Sequence, residues 1–455
     1  VKILIIGAGE VGSNVANRLA HENKDVVIID KDADALRRIA DNIDVQVMVG
    51  SGHSPIVLEE AGIKEAELLL AVTDKDETNL VACMAADIIS PATKKLARIR
   101  NADFDDFHGV LREKPPHIDT VINPEIELVK TITMLMDVPG AADVGELVGG
   151  RIKFVGIQLE KENKLAGVVL SSLSSIIGKH RLLIAAIIRK EELIIPKGKD
   201  ILLPGDLIYF VSEDEKLHET LEIFNKNEAP VKRALIVGGG RIGFRLARYL
   251  EQKSIYTKII EKDPERCKFL ADKLNKTVVL NGDGSDQELL QEENIKEMDV
   301  VVTLTSDEET NILVSLVTKQ MGVRKNITRI NKFSYFSLMS AIGIDQVVST
   351  RLSAIDSILR HIRRGKVLST RSVKGERAEI LEAMALETSD IVGKPLMSVA
   401  FPTGAIVIGI VRGEEKFIIP TGESVIQPGD RIIILADRKT IPKVEKILTV
   451  KLEFF

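Results

Sequence analysis

Apolar positions along this chain fall into two alternating textures. Apolar strand-like runs occur at residues 2–6, 25–29, 45–49, 68–72, 96–99 and 118–122, and stretches between most of them carry apolar residues at helical spacing, as Val11, Val15 and Leu19 do. Continuous apolar strands alternating with helices predict a parallel, doubly wound sheet covered on both faces. A helical passage at 125–136 follows. Shorter strand-like runs then appear at 154–159, 182–189, 193–195 and 207–211, with a helix near 168–175, and these predict a small α+β domain. From 233 to 348 the first texture returns. It is followed by a helical passage at 354–364 and short strands at 379–386, 405–411, 417–419 and 431–435.

An ordered set of motifs from the first half returns in the second at a nearly constant offset. Gly7-Ala8-Gly9-Glu10-Val11-Gly12 returns as Gly238-Gly239-Gly240-Arg241-Ile242-Gly243, and Asp30-Lys31 as Glu261-Lys262, both at an offset of 231. Gly50-Ser51-Gly52 returns as Gly282-Asp283-Gly284, and Thr73-Asp74 as Thr305-Ser306, both at 232. Glu77-Thr78-Asn79 matches Glu309-Thr310-Asn311, and Arg98-Ile99 matches Arg329-Ile330. A period this long is too large for a solenoid unit, so each copy holds whole domains. Pro204-Gly205-Asp206 and Pro428-Gly429-Asp430 sit at matching places and suit type II turns that feed the closing strands. The expected fold class is α/β: two doubly wound parallel Rossmann-like sheets, each followed by a small α+β domain. The expected boundaries are 1–135, 140–224, 232–365 and 370–455, and the polar segment Asn225-Lys226-Asn227-Glu228-Ala229-Pro230 reads as the linker between copies.

A strand that ends in Gly-x-Gly-x-x-Gly and opens a helix is a phosphate cradle. Gly7 permits the tight turn, Gly9 lets backbone approach a pyrophosphate, and Gly12 allows close helix–strand packing. Asp30 ends the second strand 18 residues past Gly12, close to the spacing of about 20 expected for a ribose-binding acid. Ligands of open parallel sheets bind beyond the carboxyl ends of the strands. The candidate cofactor-binding residues sit there: Gly7, Ala8, Gly9, Glu10, Val11, Gly12, Asp30, Lys31, Gly50, Ser51, Thr73, Asp74 and Arg98 in the first copy. In the second they are Gly238, Gly240, Arg241, Ile242, Gly243, Glu261, Lys262, Asp283, Thr305 and Arg329. Arg98 is placed either to reach a phosphate or ribose or to pair with Asp74. Asp30 and Glu261 repel the extra phosphate of NADP, which favours NAD(H), and Lys31 and Lys262 soften that preference.

No catalytic set accompanies the cradles. The seven histidines are scattered, and neither small domain supplies a His–Asp or Tyr–Lys arrangement, so binding without turnover is expected. His53 reads as a solvated loop residue, His361, Arg363, Arg364 and Lys366 as a solvated basic helix face, and Cys83 as a buried core thiol. With only Cys83 and Cys267 there is neither a disulfide framework nor a multi-cysteine metal site, which suits a reducing cytoplasm. A net charge of −5 argues against nucleic acid as partner. The longest apolar run, 182–188, is far short of the roughly 20 residues that span a bilayer. The chain opens directly on a strand, so no signal peptide is expected, and Val1 suggests an initiator Met that is removed or left out of the numbering.

Taken together, the glycine-rich sheet, the acid on its second strand, the Gly-Asp-Gly-like turn after the third, Thr-Asp after the fourth and the Pro-Gly-Asp small domain resemble an RCK domain, a regulator of potassium conductance. Two such units in one chain resemble the peripheral regulatory subunits of Trk potassium-uptake systems. The resemblance implies a cytoplasmic homo-oligomeric ring beneath a separate Trk-type potassium channel membrane subunit, peripheral to the membrane and not inserted in it. It also implies that NAD(H), and in some members ATP or ADP, changes the ring's shape and so opens or closes the pore. By position, Gly7, Gly9 and Gly12 then meet the pyrophosphate, Asp30 the adenosine ribose, and Thr73, Asp74 and Arg98 the rest of the dinucleotide. Gly238, Gly240, Gly243, Glu261, Thr305 and Arg329 repeat these roles. Ser51 departs from the pattern, since the family turn usually carries an acid there, as Asp283 does. Two alternatives remain: an NAD-dependent oxidoreductase, and a scaffold whose small domains sense another ligand.

Overall fold

The computed structural model describes residues 2–178, 181–190, 192–344, 346–362, 367–373, 377–413 and 416–448. The first sheet comprises β1 (Lys2–Ile6), β2 (Asp25–Asp30), β3 (Gln46–Val49), β4 (Leu68–Ala71), β5 (Lys94–Arg98) and β6 (Thr120–Ile122). All pair in parallel, in the order β3-β2-β1-β4-β5-β6. Strand order reverses between β1 and β4, and this opens a crevice at their carboxyl ends. Side chains of Ile3, Leu4 and Ile5 are fully buried, which is why β1 reads as an unbroken apolar run.

An antiparallel sheet follows, made of β7 (Ala141–Leu147), β8 (Ile152–Gln158), β9 (Ile184–Arg189), β10 (Glu192–Ile194) and β11 (Leu207–Glu213), in the order β10-β9-β11-β8-β7. The second parallel sheet comprises β12 (Arg233–Val237), β13 (Tyr256–Glu261), β14 (Val278–Asn281), β15 (Val300–Thr303), β16 (Lys325–Arg329) and β17 (Gln346–Val348), and it repeats the first sheet's order. The last sheet holds β18 (Val367–Val373), β19 (Ala378–Met384), β20 (Ala405–Arg412), β21 (Lys416–Ile418) and β22 (Arg431–Asp437), in the order β18-β19-β22-β20-β21. The α/β class and the tandem repeat are therefore as expected from sequence.

The sequence reading lacked β7, β18 and the helices Leu217–Ile223 and Ile441–Leu448. β7 is an edge strand whose Asp143, Gly145 and Glu146 break the apolar alternation. The Arg371 side chain fills the space beside Gly145 where a Cβ would go, and Arg371 pairs with Asp143 at 3.0 Å. The two small sheets share one core, in which Phe154, Tyr209 and Leu207 meet Ile380, Ile408 and Ile433. Phe154 and Tyr209 stack with centroids 4.9 Å apart.

The described residues fall into two compact units that cut across the sequence repeat. One holds the chain up to Glu127 together with helix Thr350–Ile362, and the other holds Leu128–Ser349 and what is described after Ile362. In the first unit, helix Thr350–Ile362 packs on helix Glu10–His21 and on β6. In the second, Leu128, Ile132 and Leu135 are fully buried with Ala234, Ile236 and Leu246, behind the second sheet. The ammonium of Lys325 donates to the Leu135 carbonyl at 3.0 Å and closes the end of helix Pro124–Asp137. The linker runs past a cavity of about 400 Å³ that Met136, Leu217, Leu221 and Lys325 help to line. Among the described residues no helix is long and apolar enough to cross a membrane.

Candidate functional site

Each parallel sheet carries the same glycine turn at its crevice. Gly7 and Gly238 have φ of +113° and +109°, a region that disfavours side chains. A Cβ on Gly12 would lie 1.9 Å from the Gly7 carbonyl oxygen, and one on Gly243 would lie 2.0 Å from that of Gly238, so only glycine fits. Gly9 and Gly240 behave differently: a Cβ there would meet nothing within 4 Å. These residues cap helices Glu10–His21 and Arg241–Gln252, and neither helix start has a side-chain cap. First-turn N–H groups are thus left for an outside acceptor, beside an open face. Val11, Gly12, Ile242 and Gly243 are buried against the sheet, whereas Arg241 is exposed.

The acids lock onto this turn. Ala8 N donates to Asp30 Oδ2 at 2.6 Å, and Asp32 N donates to Asp30 Oδ1 at 2.9 Å. In the second copy Gly239 N donates to Glu261 Oε2 at 2.7 Å and Asp263 N to Glu261 Oε1 at 2.9 Å. A carboxylate holding two backbone N–H groups keeps lone pairs for ribose hydroxyls. Around the third strands the copies diverge. Ser51 Oγ lies 3.1 Å from Nδ1 of the exposed His53, and Lys31 is exposed. Asp283 instead accepts from Ser285 N at 2.9 Å and Ser285 Oγ at 2.7 Å, and pairs with Lys262 at 3.2 Å. The Ser285 hydrogen bonds, then Lys262, hold its carboxyl below the usual range. Gly50 and Gly52 pass close to Val57 and Ile6.

Thr73 and Thr305 back the glycine turn closely, since a Cβ on Gly7 would lie 3.1 Å from Thr73 N and one on Gly238 2.8 Å from Thr305 N. Each threonine is held by an asparagine that the candidate set lacks. Asn79 Oδ1 accepts from Thr73 N at 2.9 Å and Thr73 Oγ1 at 2.7 Å, while its Nδ2 donates to the carbonyls of Thr73 and Arg98 at 3.1 and 2.8 Å. Asn311 repeats all four bonds with Thr305 and Arg329. The signal for these residues was the repeated Glu-Thr-Asn triplet.

Arg98 ends β5 at the crevice, with its Nε buried and without a hydrogen-bond partner. Burial first, and then the neighbouring Arg100, push its pKa down to about 10. It is Arg100, not Arg98, that donates to the Asp74 carbonyl. Arg329 Nη1 donates to the Thr305 carbonyl at 3.2 Å. Cys83 lies fully buried in the first core, its thiol pushed up to about 12 by burial. His361 Nδ1 lies 2.7 Å from the Ser357 carbonyl, while Arg363, Arg364 and Lys366 lie outside the described residues.

These features suit a dinucleotide: an open backbone cradle for phosphates, an acid for ribose, and a buried arginine nitrogen awaiting an acceptor. The comparisons agree at the level of family. The TrkA-N domain matches residues 3–124 and 234–350, and the TrkA-C domain matches 154–225 and 380–449. The Trk system potassium uptake protein TrkA of Halomonas elongata is 35% identical over 100% of both chains. TrkA homolog 1 of Methanosarcina mazei is 37% identical, covering 98% of this chain and 99% of its own. Among solved structures, the GsuK RCK domain is similar with a TM-score of 0.60 at 19% identity, covering 98% of this chain and 94% of that one. With two TrkA-N and two TrkA-C domains and relatives that match end to end, the chain belongs to the TrkA family of Trk system potassium uptake proteins.

Proposed function

We propose that this chain is a nucleotide-sensing regulatory subunit, without turnover of its own, that gates potassium uptake through a separate Trk-type membrane channel subunit. The observation that carries the reading is the paired cradle: two glycine turns, each locked to an acid and an asparagine-held threonine, in a chain whose relatives are potassium uptake proteins. NAD(H) is the ligand in this reading, with ATP or ADP as alternatives at the same turns. Backbone N–H groups at Gly9–Gly12 and Gly240–Gly243 hold its pyrophosphate, Asp30 and Glu261 its ribose, and Arg98 adds a cation to the first site. In this reading, copies assemble into a cytoplasmic ring on the channel.

Gating is a coupling free energy: a ligand shifts a two-state ring only by its difference in affinity for the two states. The first unit offers a route for it. Glu10, on the opening turn of the cradle helix, pairs with Arg351, which belongs by sequence to the second repeat. A phosphate drawn to Gly9 competes with Glu10 for that cation, so occupancy of the first cradle is felt by a helix of the second repeat. Oxidised and reduced NAD differ by one charge and in ring planarity, which supplies a basis for differential binding.

Calorimetric titration tests this directly. Two NADH sites per chain are expected, with NADPH much weaker, and Asp30→Ala and Glu261→Ala are each expected to remove one site. An Asp30→Ala, Glu261→Ala double variant that binds NADH like the parent would overturn the assignment.

A further inference from the structure

The two cradles share a backbone but not the wall beside the acid. In the second, helix Pro264–Lys273 starts just past Glu261 and carries Arg266, Phe269 and Leu270. Arg266 Nε donates to the Gly239 carbonyl at 2.7 Å, and its guanidinium carbon lies 4.3 Å from the centre of the Phe269 ring. Phe244, one turn into the cradle helix, meets Phe269 edge to face at 5.5 Å and 62°. Phe269 remains 40% exposed, so part of the ring and the cation over it stay open to a ligand. At the 231 offset the first copy has Ala35, Arg38 and Ser13 in place of Arg266, Phe269 and Phe244. Arg38 is exposed, and the Ser13 hydroxyl donates to its own helix at Glu10 O, 3.2 Å away. The cluster is therefore a property of one cradle only.

The guanidinium is fixed twice, by an edge hydrogen bond and by a ring beneath it, so little side-chain freedom remains to lose on binding. Gly239 ties it to the acid, because its N–H bonds Glu261 while its carbonyl bonds Arg266. Whatever ribose Glu261 receives brings its base to this neighbourhood. A 2′-phosphate is the other group an arginine here would attract, but Glu261 repels it. The Phe244 ring lies farther from the same guanidinium carbon, at 5.9 Å, and Arg266 is half-buried, so a flat aromatic base fits the side of this flat cation that the protein leaves exposed.

We propose that Arg266, lying over Phe269, is a base platform in the second cradle, stacking the adenine of a bound nucleotide and making the two cradles unequal in affinity for adenine nucleotides. This rests on the reading of the second cradle as a nucleotide site. Base stacking on such a platform is worth on the order of tenfold in affinity. The test is calorimetry on the full chain carrying Asp30→Ala, which leaves the second cradle as the site observed, with ADP as ligand and inorganic pyrophosphate as a ligand without a base. Arg266→Ala is expected to weaken ADP about tenfold and to leave pyrophosphate unchanged. Arg266→Lys, which keeps the charge and loses the plane, is expected to match Arg266→Ala. Equal losses for ADP and pyrophosphate would overturn the proposal, because Arg266 would then only be shaping the Gly239 turn. Unchanged ADP binding in both variants would overturn it too. If the Asp30→Ala chain binds neither ligand before Arg266 is touched, the second cradle is not a nucleotide site and the reading beneath the proposal fails instead.

Discussion

At the scale of single residues, the two asparagines behind the cradles bear on function although they need never touch a ligand. Asn79 and Asn311 are each 0% exposed, and each satisfies its amide completely with four hydrogen bonds. They fasten the end of β4 to that of β5, and β15 to β16, just where Thr73 and Thr305 back the glycine turns. Replacing Asn79 with Ala leaves the Thr73 N–H and two carbonyls buried without a partner, at roughly 1–3 kcal/mol for each orphaned group. Amide exchange in β4 and β5 is then expected to quicken on the order of a hundredfold, and the first NADH site to weaken while the second does not. Exchange at the parental rate would show that the clamp is dispensable. The glycines and acids were legible in sequence because backbone sterics and charge leave few residue choices there. The asparagines were visible only as a repeated triplet, since an amide's role depends on where four neighbouring groups fall in space.

At the scale of elements, equivalent helices of the two copies begin differently. Helix Glu308–Gln320 has Asp307 as its N-cap, accepting from Thr310 N at 3.0 Å, whereas its counterpart Asp76–Ile89 follows Lys75 with no side-chain cap. Glu309 extends the second start into a surface network, accepting from Lys332 Nζ and Tyr335 OH, each at 2.7 Å. Those hydrogen bonds, Lys332 first, pull its pKa down to about 2 from 4.5. A carboxylate depressed by folding stabilises above its unfolded pKa, and that contribution disappears as pH falls through its folded value. Glu309→Gln is therefore expected to lower Tm at neutral pH and to converge on the parent between pH 4.5 and 2. Tm curves that stay parallel across that range would rule out the network as a stability term. Strands buried on both faces were readable as apolar runs. Edge strand β7 was not, because Asp143, Gly145 and Glu146 break its apolar alternation, and Asp143 answers to Arg371 from elsewhere in the chain, a pairing with no local signature.

At the scale of the whole molecule, the tandem repeat legible in sequence is not how the units are composed, since helix Thr350–Ile362 packs with the first sheet and Leu128 to Met136 with the second. Periodicity announces such helices without saying which sheet each will cover, because both faces on offer are equally apolar. What the units leave uncovered bears on assembly. On helix Asp76–Ile89, Val81, Met84 and Ile88 recur at steps of three and four and are 43%, 51% and 74% exposed. The second copy exposes Leu313 at the equivalent of Val81, and Leu338 beyond it, at 52% and 49%. One exposed apolar side chain needs no explanation, but an aligned stripe on one helix marks a contact surface. On the proposed ring assembly, this stripe is the surface that a second copy is expected to cover. Met84→Lys with Ile88→Lys places two ammonium groups in that contact and leaves Asp30, Asn79 and the glycine turn intact. Light scattering is expected to show a smaller assembly for this variant, with NADH still binding each chain and potassium-uptake regulation lost. An assembly of parental mass would move the ring contact to another face. Loss of NADH binding together with assembly would mean instead that the cradles are completed only when copies meet.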